Sequence, residues 1–250
     1  STSATSIDEN SGSVLTLTAT LSVATTADVT VTIATSGIAT EGTDYTDGSG
    51  NIDDLVITAG NTTETISFKP TDDSVYEGDE TATISIDSVS GGEASENGTQ
   101  AVTITISENE SAPTVTLSVS ASSIAENSGS TLTITATSSI VADENITVGI
   151  STSGTATEGT DYGTISDITI SSGDTTGTAS FTPTDDNLYE TSTDETATVS
   201  ITGVSGGSAT ESGSQSVTLT IEENESAPTV TLSTSATSID ENSGSVLTLT

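Results

Sequence analysis

One stretch of the chain occurs twice without a change. Ser1–Thr18 recurs at Ser233–Thr250, an offset of 232 residues. A weaker relation lies inside that period: Glu9 and Glu126 occupy matching motifs 117 residues apart, and the sequence Ser-Ala-Pro-Thr-Val-Thr-Leu-Ser begins at both Ser111 and Ser226, 115 residues apart. Two related units therefore alternate, each the size of one independently folding domain. We predict unit one over 1–113 with its first strand truncated, unit two over 114–228, and the start of the next unit one over 229–250.

Each unit contains short segments in which Thr alternates with Val, Ile or Leu. This period of two gives a strand one apolar and one hydroxylated face, and Gly, Ser, Asp and Asn clusters separate the segments. About seven short antiparallel strands in such a length predict an all-β fold of tandem immunoglobulin-like sandwiches, arranged as beads or a rod. The predicted strands are Val14–Ser22, Val29–Ser36, Leu55–Thr58, Thr63–Phe68, Thr81–Ile86 and Ala101–Ile106 in unit one, and Thr114–Ser118, Leu132–Thr137, Ile146–Thr152, Ile165–Ile170, Gly177–Thr182, Thr196–Ile201 and Val217–Ile221 in unit two.

The composition excludes several classes of function. The chain has 37 acidic residues against one Lys or Arg, a net charge of −36, and neither His nor Cys. A Ser–His–Asp triad, a Cys nucleophile, a thiolate zinc site and a disulfide are therefore impossible. Nothing can neutralise a nucleic-acid backbone, and no apolar run is long enough to insert into a membrane. A Glu9/Asp44 acid–base pair has no aromatic platform for a sugar, so we predict that the chain is not an enzyme.

The carboxylates concentrate in four segments of each unit. In unit one these segments contain Glu9, Asp44, the run Asp72–Glu80, and Glu108 with Glu110. In a seven-strand sandwich such segments fall on loops, and alternate loops meet at one end. Carboxylates gathered without a cationic partner repel one another, and calcium, which takes 6–8 oxygen ligands in irregular geometry, relieves that repulsion better than magnesium.

A solvated acidic surface is the alternative interpretation of the same residues. Against it, the acidic positions recur in unit two although the loops between them differ in length. The spacing from Asp44 to Asp73 is 29 residues, and that from Asp161 to Asp186 is 25. Calcium sites therefore explain the pattern better.

Four ordered motifs resemble those of the Calx-beta domain. They read Ile-Asp-Glu-Asn-Ser-Gly, Gly-Ile-Ala-Thr-Glu-Gly-Thr-Asp-Tyr, Asp-Asp-Ser-Val-Tyr-Glu-Gly-Asp-Glu and a terminal acidic stretch, and they span both units. That family includes calcium-sensing domains of sodium–calcium exchangers and repeats in bacterial surface proteins. The resemblance implies a seven-strand sandwich that binds calcium in loops at one end, near the junction to the next domain.

The resemblance also implies a ligand set. The terminal stretch departs from the family pattern, since it reads Glu-Asn-Glu rather than three Asp, and unit two has two extra residues between Glu190 and Glu195. Carried over by motif, the ligands are Glu9, Asp44, Asp72, Asp73, Glu77, Glu80, Glu108 and Glu110 in unit one, and Glu126, Asp161, Asp185, Asp186, Glu190, Glu195, Glu223 and Glu225 in unit two.

The connection between the units is short. Only Ser111-Ala112-Pro113 separates Glu110 from the next predicted strand, so the linker cannot act as a loose tether. Three functional classes stay open: a calcium-stiffened stalk or fibre of a secreted bacterial cell-surface, adhesin or matrix protein; a calcium-responsive regulatory module; and a module that binds glycan, ice or a partner protein. The first predicts neighbouring repeats of the same chain, and other copies in a fibre, as partners. Long tandem repetition favours it.

Overall fold

The computed structural model describes residues 1–190 and 194–250. They form two β-sandwich units in tandem. The strands of unit one are β1 (Ser6–Asp8), β2 (Leu15–Thr20), β3 (Val29–Gly37), β4 (Tyr45–Thr46), β5 (Leu55–Ile57), β6 (Thr63–Pro70), β7 (Val75–Tyr76), β8 (Glu80–Ser90) and β9 (Ala101–Ser107). Those of unit two are β10 (Thr114–Val119), β11 (Ser123–Ala125), β12 (Leu132–Ser138), β13 (Val141–Ala142), β14 (Ile146–Gly154), β15 (Ile168–Ile170), β16 (Thr176–Phe181), β17 (Glu195–Ser205), β18 (Thr210–Glu211) and β19 (Ser216–Glu222).

Each unit has a five-stranded sheet opposite a smaller one. The five-stranded sheets have the orders β1-β9-β8-β3-β5 and β11-β19-β17-β14-β15, and the smaller sheets are β2-β6-β4 and β16-β12-β10-β18. The predicted sandwich is therefore confirmed, but the expectation of purely antiparallel strands is wrong. The pairs β1–β9, β11–β19 and β10–β18 are parallel. The pairs β1–β9 and β11–β19 arise because the opening segment of each unit crosses from one sheet to the other and joins the last strand.

The apolar side chains fill the space between the sheets. Along β17, Ala197, Val199 and Ile201 are buried at every second position, as the Thr alternation predicts. Unit two has one continuous core, to which Val115 and Leu117 of β10 belong. Unit one has two smaller core clusters, and an apolar groove of about 700 Å³ lies along β2 and residues 93–97. That groove corresponds to the position of β10 in unit two.

A stacked aromatic pair closes each core just below the acidic loops. The ring centroids of Tyr45 and Phe68 lie 4.7 Å apart, and those of Tyr162 and Phe181 lie 4.9 Å apart. All four rings are at most 1% exposed. Each Tyr directly follows a predicted ligand, Asp44 or Asp161, so the stacked pair anchors that carboxylate at the end of the sandwich.

The two units contact each other through a two-stranded sheet that the sequence did not predict. β7 of unit one pairs in parallel with β13 of unit two, with Val75 opposite Val141 and Tyr76 opposite Ala142. The linker residue Pro113 is buried, and its carbonyl accepts a hydrogen bond of 3.0 Å from the Thr210 N–H. Within the described residues, no helix is long and apolar enough to serve as a membrane span.

Candidate metal centre

Four groups of three carboxylates stand at the acidic ends of the two units. In every group, one oxygen from each residue lies within 4.8 Å of the others. Calcium–oxygen distances are about 2.3–2.6 Å, so oxygens at this spacing can share one ion. We call the groups the terminal triads (Glu9, Glu108, Glu110 and Glu126, Glu223, Glu225) and the loop triads (Asp44, Glu77, Glu80 and Asp161, Glu190, Glu195).

The terminal triad of unit one joins the two ends of the domain. Glu9 opens a 3-10 turn, Glu9–Ser11, directly after β1, and β1 pairs with β9, which ends just before Glu108. This parallel pair therefore brings the first and last acidic segments together. Glu9 is only 7% exposed, and its Oε1 accepts a hydrogen bond of 3.2 Å from the Asp73 N–H.

Glu108 holds the acidic loops in place. Its Oε2 accepts hydrogen bonds from the N–H groups of Glu77 and Gly78 at 2.6 and 2.9 Å, and its Oε1 accepts the Glu110 N–H at 2.9 Å. Desolvation opposes ionisation, but the hydrogen bonds outweigh it and lower the pKa of Glu108. In unit two, Glu223 accepts the matching bonds from Glu190 and Glu225. A carboxylate stays ionised here because backbone N–H groups stabilise its charge.

A tight turn positions the first residue of each loop triad. The Thr40 N–H donates to Asp44 Oδ2 at 2.5 Å, and the Asp44 N–H donates to the Thr40 carbonyl at 2.9 Å. Asp161 makes the same two contacts with Thr157. The turn uses one carboxylate oxygen and leaves the other for the triad.

Burial and like charge make three unit-one carboxyl groups, those of Glu9, Glu77 and Glu80, hard to ionise. Desolvation, followed by the charge of Asp44, raises the pKa of Glu80 to about 8. Desolvation and then Asp44 also raise the pKa of Glu77 to about 7. Desolvation raises the pKa of Glu9 to about 7 against an opposing hydrogen bond from Asp73. Ionising these groups in the folded protein costs free energy, and a bound cation would offset that free energy.

In three triads, a buried carboxylate oxygen receives no hydrogen bond from any of the residues that the structure describes. The atoms are Oε2 of Glu110, Glu195 and Glu225. With one Lys or Arg in the whole chain, no set of cationic side chains can serve four triads. Buried polar atoms without partners are rare in folded proteins. An all-oxygen donor set with unsatisfied buried atoms fits calcium, a hard cation that prefers carboxylates.

The triads contain twelve of the sixteen predicted ligands. The other four are Asp72, Asp73, Asp185 and Asp186, which lie beside the triads. Asp73 Oδ1 accepts the Val75 N–H at 2.7 Å, and Asp186 Oδ1 accepts the Leu188 N–H at 2.6 Å, so both turn one oxygen back into their own loop. Asp72 and Asp185 are exposed. The stretch 191–193, which contains the extra residues before Glu195, lies outside the described residues.

Two acidic residues near the triads are not among the predicted ligands. Asp79 Oδ1 accepts the Glu108 N–H at 3.0 Å and so orients that ligand. Asp143 belongs to unit two, yet its N–H donates to the Tyr76 carbonyl of unit one at 3.2 Å. For Asp143, the one sequence feature that could have indicated a role is the alignment of the two units, in which unit one has Thr26 at the same position.

The chain has relatives among known protein families and solved structures. The sequence model of the Calx-beta domain family matches residues 1–110 and again 108–225. No curated protein matches the chain. Among solved structures, CBD12 from CALX1.2 is 17% identical over 87% of this chain and 96% of that one, with a TM-score of 0.37. The calcium binding domain CBD12 of CALX1.1 is 18% identical over 80% and 77%, with a TM-score of 0.36. Invasin, a bacterial integrin-binding protein, is 18% identical over 90% and 39%, with a TM-score of 0.37. These structural likenesses are too distant to bear on function.

Proposed function

The chain belongs to the Calx-beta domain family, in tandem copies, and we propose that it is a non-enzymatic, calcium-binding structural array. Such an array forms the stalk or fibre of a secreted bacterial cell-surface, adhesin or matrix protein. Calcium bound near the domain junctions stiffens it. The observation that carries the proposal is the set of four carboxylate triads found within residues 1–190 and 194–250, three of which bury an oxygen that has no hydrogen-bond donor in those ranges.

The residues of the triads would hold the ion, and the rest of each loop would keep them in place. In unit one, oxygens come from Glu9 and Glu110 in the terminal triad and from Glu80 in the loop triad. Glu108 fixes the loop that contains Glu77, because its carboxylate accepts hydrogen bonds from backbone N–H groups of that loop. Calcium supplies positive charge, which removes the repulsion between neighbouring carboxylates. With calcium bound, the acidic loops of a unit have one preferred conformation. Without it, they adopt several conformations that keep the carboxylates apart.

The arrangement of the loops supports an array. In unit two, Asp161 follows the end of β14, whereas β13 lies just before its start. At about 3.3 Å per residue, the nine residues of β14 separate these features by roughly 30 Å. Unit two therefore has its acidic loops at one end and, at the other, a strand that contacts unit one. Units of this kind extend head to tail.

Calcium is expected to lengthen and stiffen the two-unit chain in solution. Small-angle scattering in calcium should give a narrower distance distribution and a larger maximum dimension than in EDTA at the same ionic strength. The reason is that the chelated protein retains repulsion at the junction, which favours a range of angles between the units. Magnesium at equal concentration serves as the control. Identical scattering profiles with calcium and with EDTA would refute the stiffening.

A further inference from the structure

The strand pair between the units sets an acidic residue of unit two beside the loop triad of unit one. Val75 lies opposite Val141 and Tyr76 opposite Ala142. Continuing this parallel register by one residue places Asp143 next to Glu77. In-register residues of adjacent strands are about 4.8 Å apart, with their side chains on the same face. The Asp143 N–H, which donates to the Tyr76 carbonyl at 3.2 Å, holds that placement.

The neighbouring acidic residue of unit two faces elsewhere. Glu144 Oε2 accepts a hydrogen bond of 2.9 Å from the Gly207 N–H, so that side chain is engaged within its own unit. Asp143 is exposed and directly follows Ala142, the last residue of β13, so it stands beside Glu77 across the junction. Of these two acidic residues, Asp143 is the one that adds negative charge to the unit-one triad.

The loop triad of unit one contains a buried side chain that points into it without a donor. Glu80 is 8% exposed, and one of its oxygens lies within 4.8 Å of those of Asp44 and Glu77. Among the described residues, no backbone N–H group donates a hydrogen bond to its carboxyl group, which lies against the carboxylate of Asp44. A buried carboxyl group that faces two other carboxylates marks a position where a cation would stabilise the charged form. Calcium takes 6–8 oxygen ligands, so the triad leaves room for a further oxygen.

We propose that Asp143 is a fourth carboxylate ligand of the calcium bound by Asp44, Glu77 and Glu80, so that this ion is shared between the two units. The proposal rests on the proposed function, since it assigns a further ligand to one of the same sites. It gives the junction two connected parts, the β7–β13 backbone pairing and a metal bridge. Binding of calcium at this triad is thereby coupled to docking of unit two.

The chain contains its own comparison for this assignment. Unit one has Thr26 in place of Asp143, and the two positions correspond because Gly60 and Gly173 donate to the carbonyls of Thr25 and Ala142, one residue before each. The bridging carboxylate is therefore present in one kind of unit and absent from the other. Junctions formed by the Asp143 loop and by the Thr26 loop would then respond differently to calcium.

Asp143→Asn tests the assignment in the full chain. Calcium titrations followed by calorimetry should show the loop site of unit one bound roughly five- to tenfold more weakly, because one charged ligand is lost. The measurement is made in about 0.5 M KCl, where a distant charge is screened but a direct ligand is not. Asp87→Asn is the control: Asp87 is exposed on β8, seven residues and roughly 23 Å from Glu80.

A distance measurement provides the second readout. Because the chain has no Cys, Ser88→Cys and Ser166→Cys place one spin label on each unit without other sites of attachment. Calcium should narrow the distance distribution in the parent and in Asp87→Asn, and much less in Asp143→Asn. Equal affinity and equal narrowing in the parent and Asp143→Asn would overturn the bridge while leaving calcium binding intact. Absence of calcium binding in the parent would instead overturn the proposed function.

Discussion

Excess calcium is expected to raise the midpoint of thermal unfolding of the chain by at least about 10 °C over the midpoint in EDTA. A site that binds only the folded state adds about 2.7 kcal/mol at a hundredfold excess over its dissociation constant. For a domain of this size, each 1 kcal/mol shifts the midpoint by roughly 4 °C. Each unit has two triads, so occupation of even one per unit produces a shift that calorimetry or circular dichroism resolves easily.

The control for this shift must separate binding from screening. A chain of net charge −36 is stabilised by any salt, because screening reduces repulsion throughout the acidic surface. Sodium and magnesium chloride at the same ionic strength should therefore give only a small rise. Magnesium keeps its waters and fits an irregular carboxylate cage poorly. Equal midpoints in calcium and magnesium would mean that the triads are a solvated acidic surface.

Glu80→Gln is expected to have opposite effects with and without calcium. In EDTA at pH 8 the substitution should raise the midpoint by about 5 °C, because it removes a buried charge that faces Asp44. In calcium it should lower the midpoint relative to the parent, because the ion loses a charged ligand. Asp87→Asn, which removes one exposed charge, should change neither midpoint appreciably. A destabilising effect in both conditions would indicate a packing role for Glu80 rather than a metal site.

Glu80 also determines whether the stability of the calcium-free protein rises or falls with pH. The pKa of Glu80 is about 8 when folded, against an ordinary value of 4.5, so between these values the folded state binds more protons than the unfolded state. Stability in EDTA should therefore fall as the pH rises from about 5 to about 8. Glu9 and Glu77, with pKa values of about 7, act in the same direction. In Glu80→Gln the upper part of this dependence should be weaker, and the parent in calcium should show the reverse trend, since protons compete with the ion.

The sequence located the long strands because their Thr and aliphatic residues alternate, although β8 and β17 each extend four residues beyond the predicted ends at Ile86 and Ile201. Ala101–Ile106, for example, differs from β9 by one residue. It did not predict β1 and β11, three-residue strands whose side-chain pattern is too short to have a period. Those strands form the parallel pairs β1–β9 and β11–β19, and the first of these brings Glu9 next to Glu108. Chain topology, which local patterns do not encode, therefore decides how the ligands meet.

For the acidic residues too, local motifs predict one part of the site and chain topology decides the rest. Their motifs predicted which residues gather, but not that they divide into a terminal and a loop triad in each unit. The sequence also treated each unit as a separate domain with its own ligands. Asp143 lies outside every acidic motif and reaches the site through a two-residue strand in the neighbouring unit. The local sequence around a residue does not show that it acts across a junction. For Asp143, the one indication is that unit one has Thr26 at the same position.

Calorimetric titration of calcium into the chelator-treated chain shows whether the carboxylate triads bind calcium. We expect saturable binding of more than one calcium ion per chain, a much weaker response to magnesium, and loss of part of the heat when Glu80 and Glu195 are both replaced by Gln. Those two side chains belong to the loop triads of unit one and unit two, so the terminal triads provide an internal reference. No saturable heat with calcium, or the same isotherm in the parent and the doubly substituted chain, would contradict this expectation.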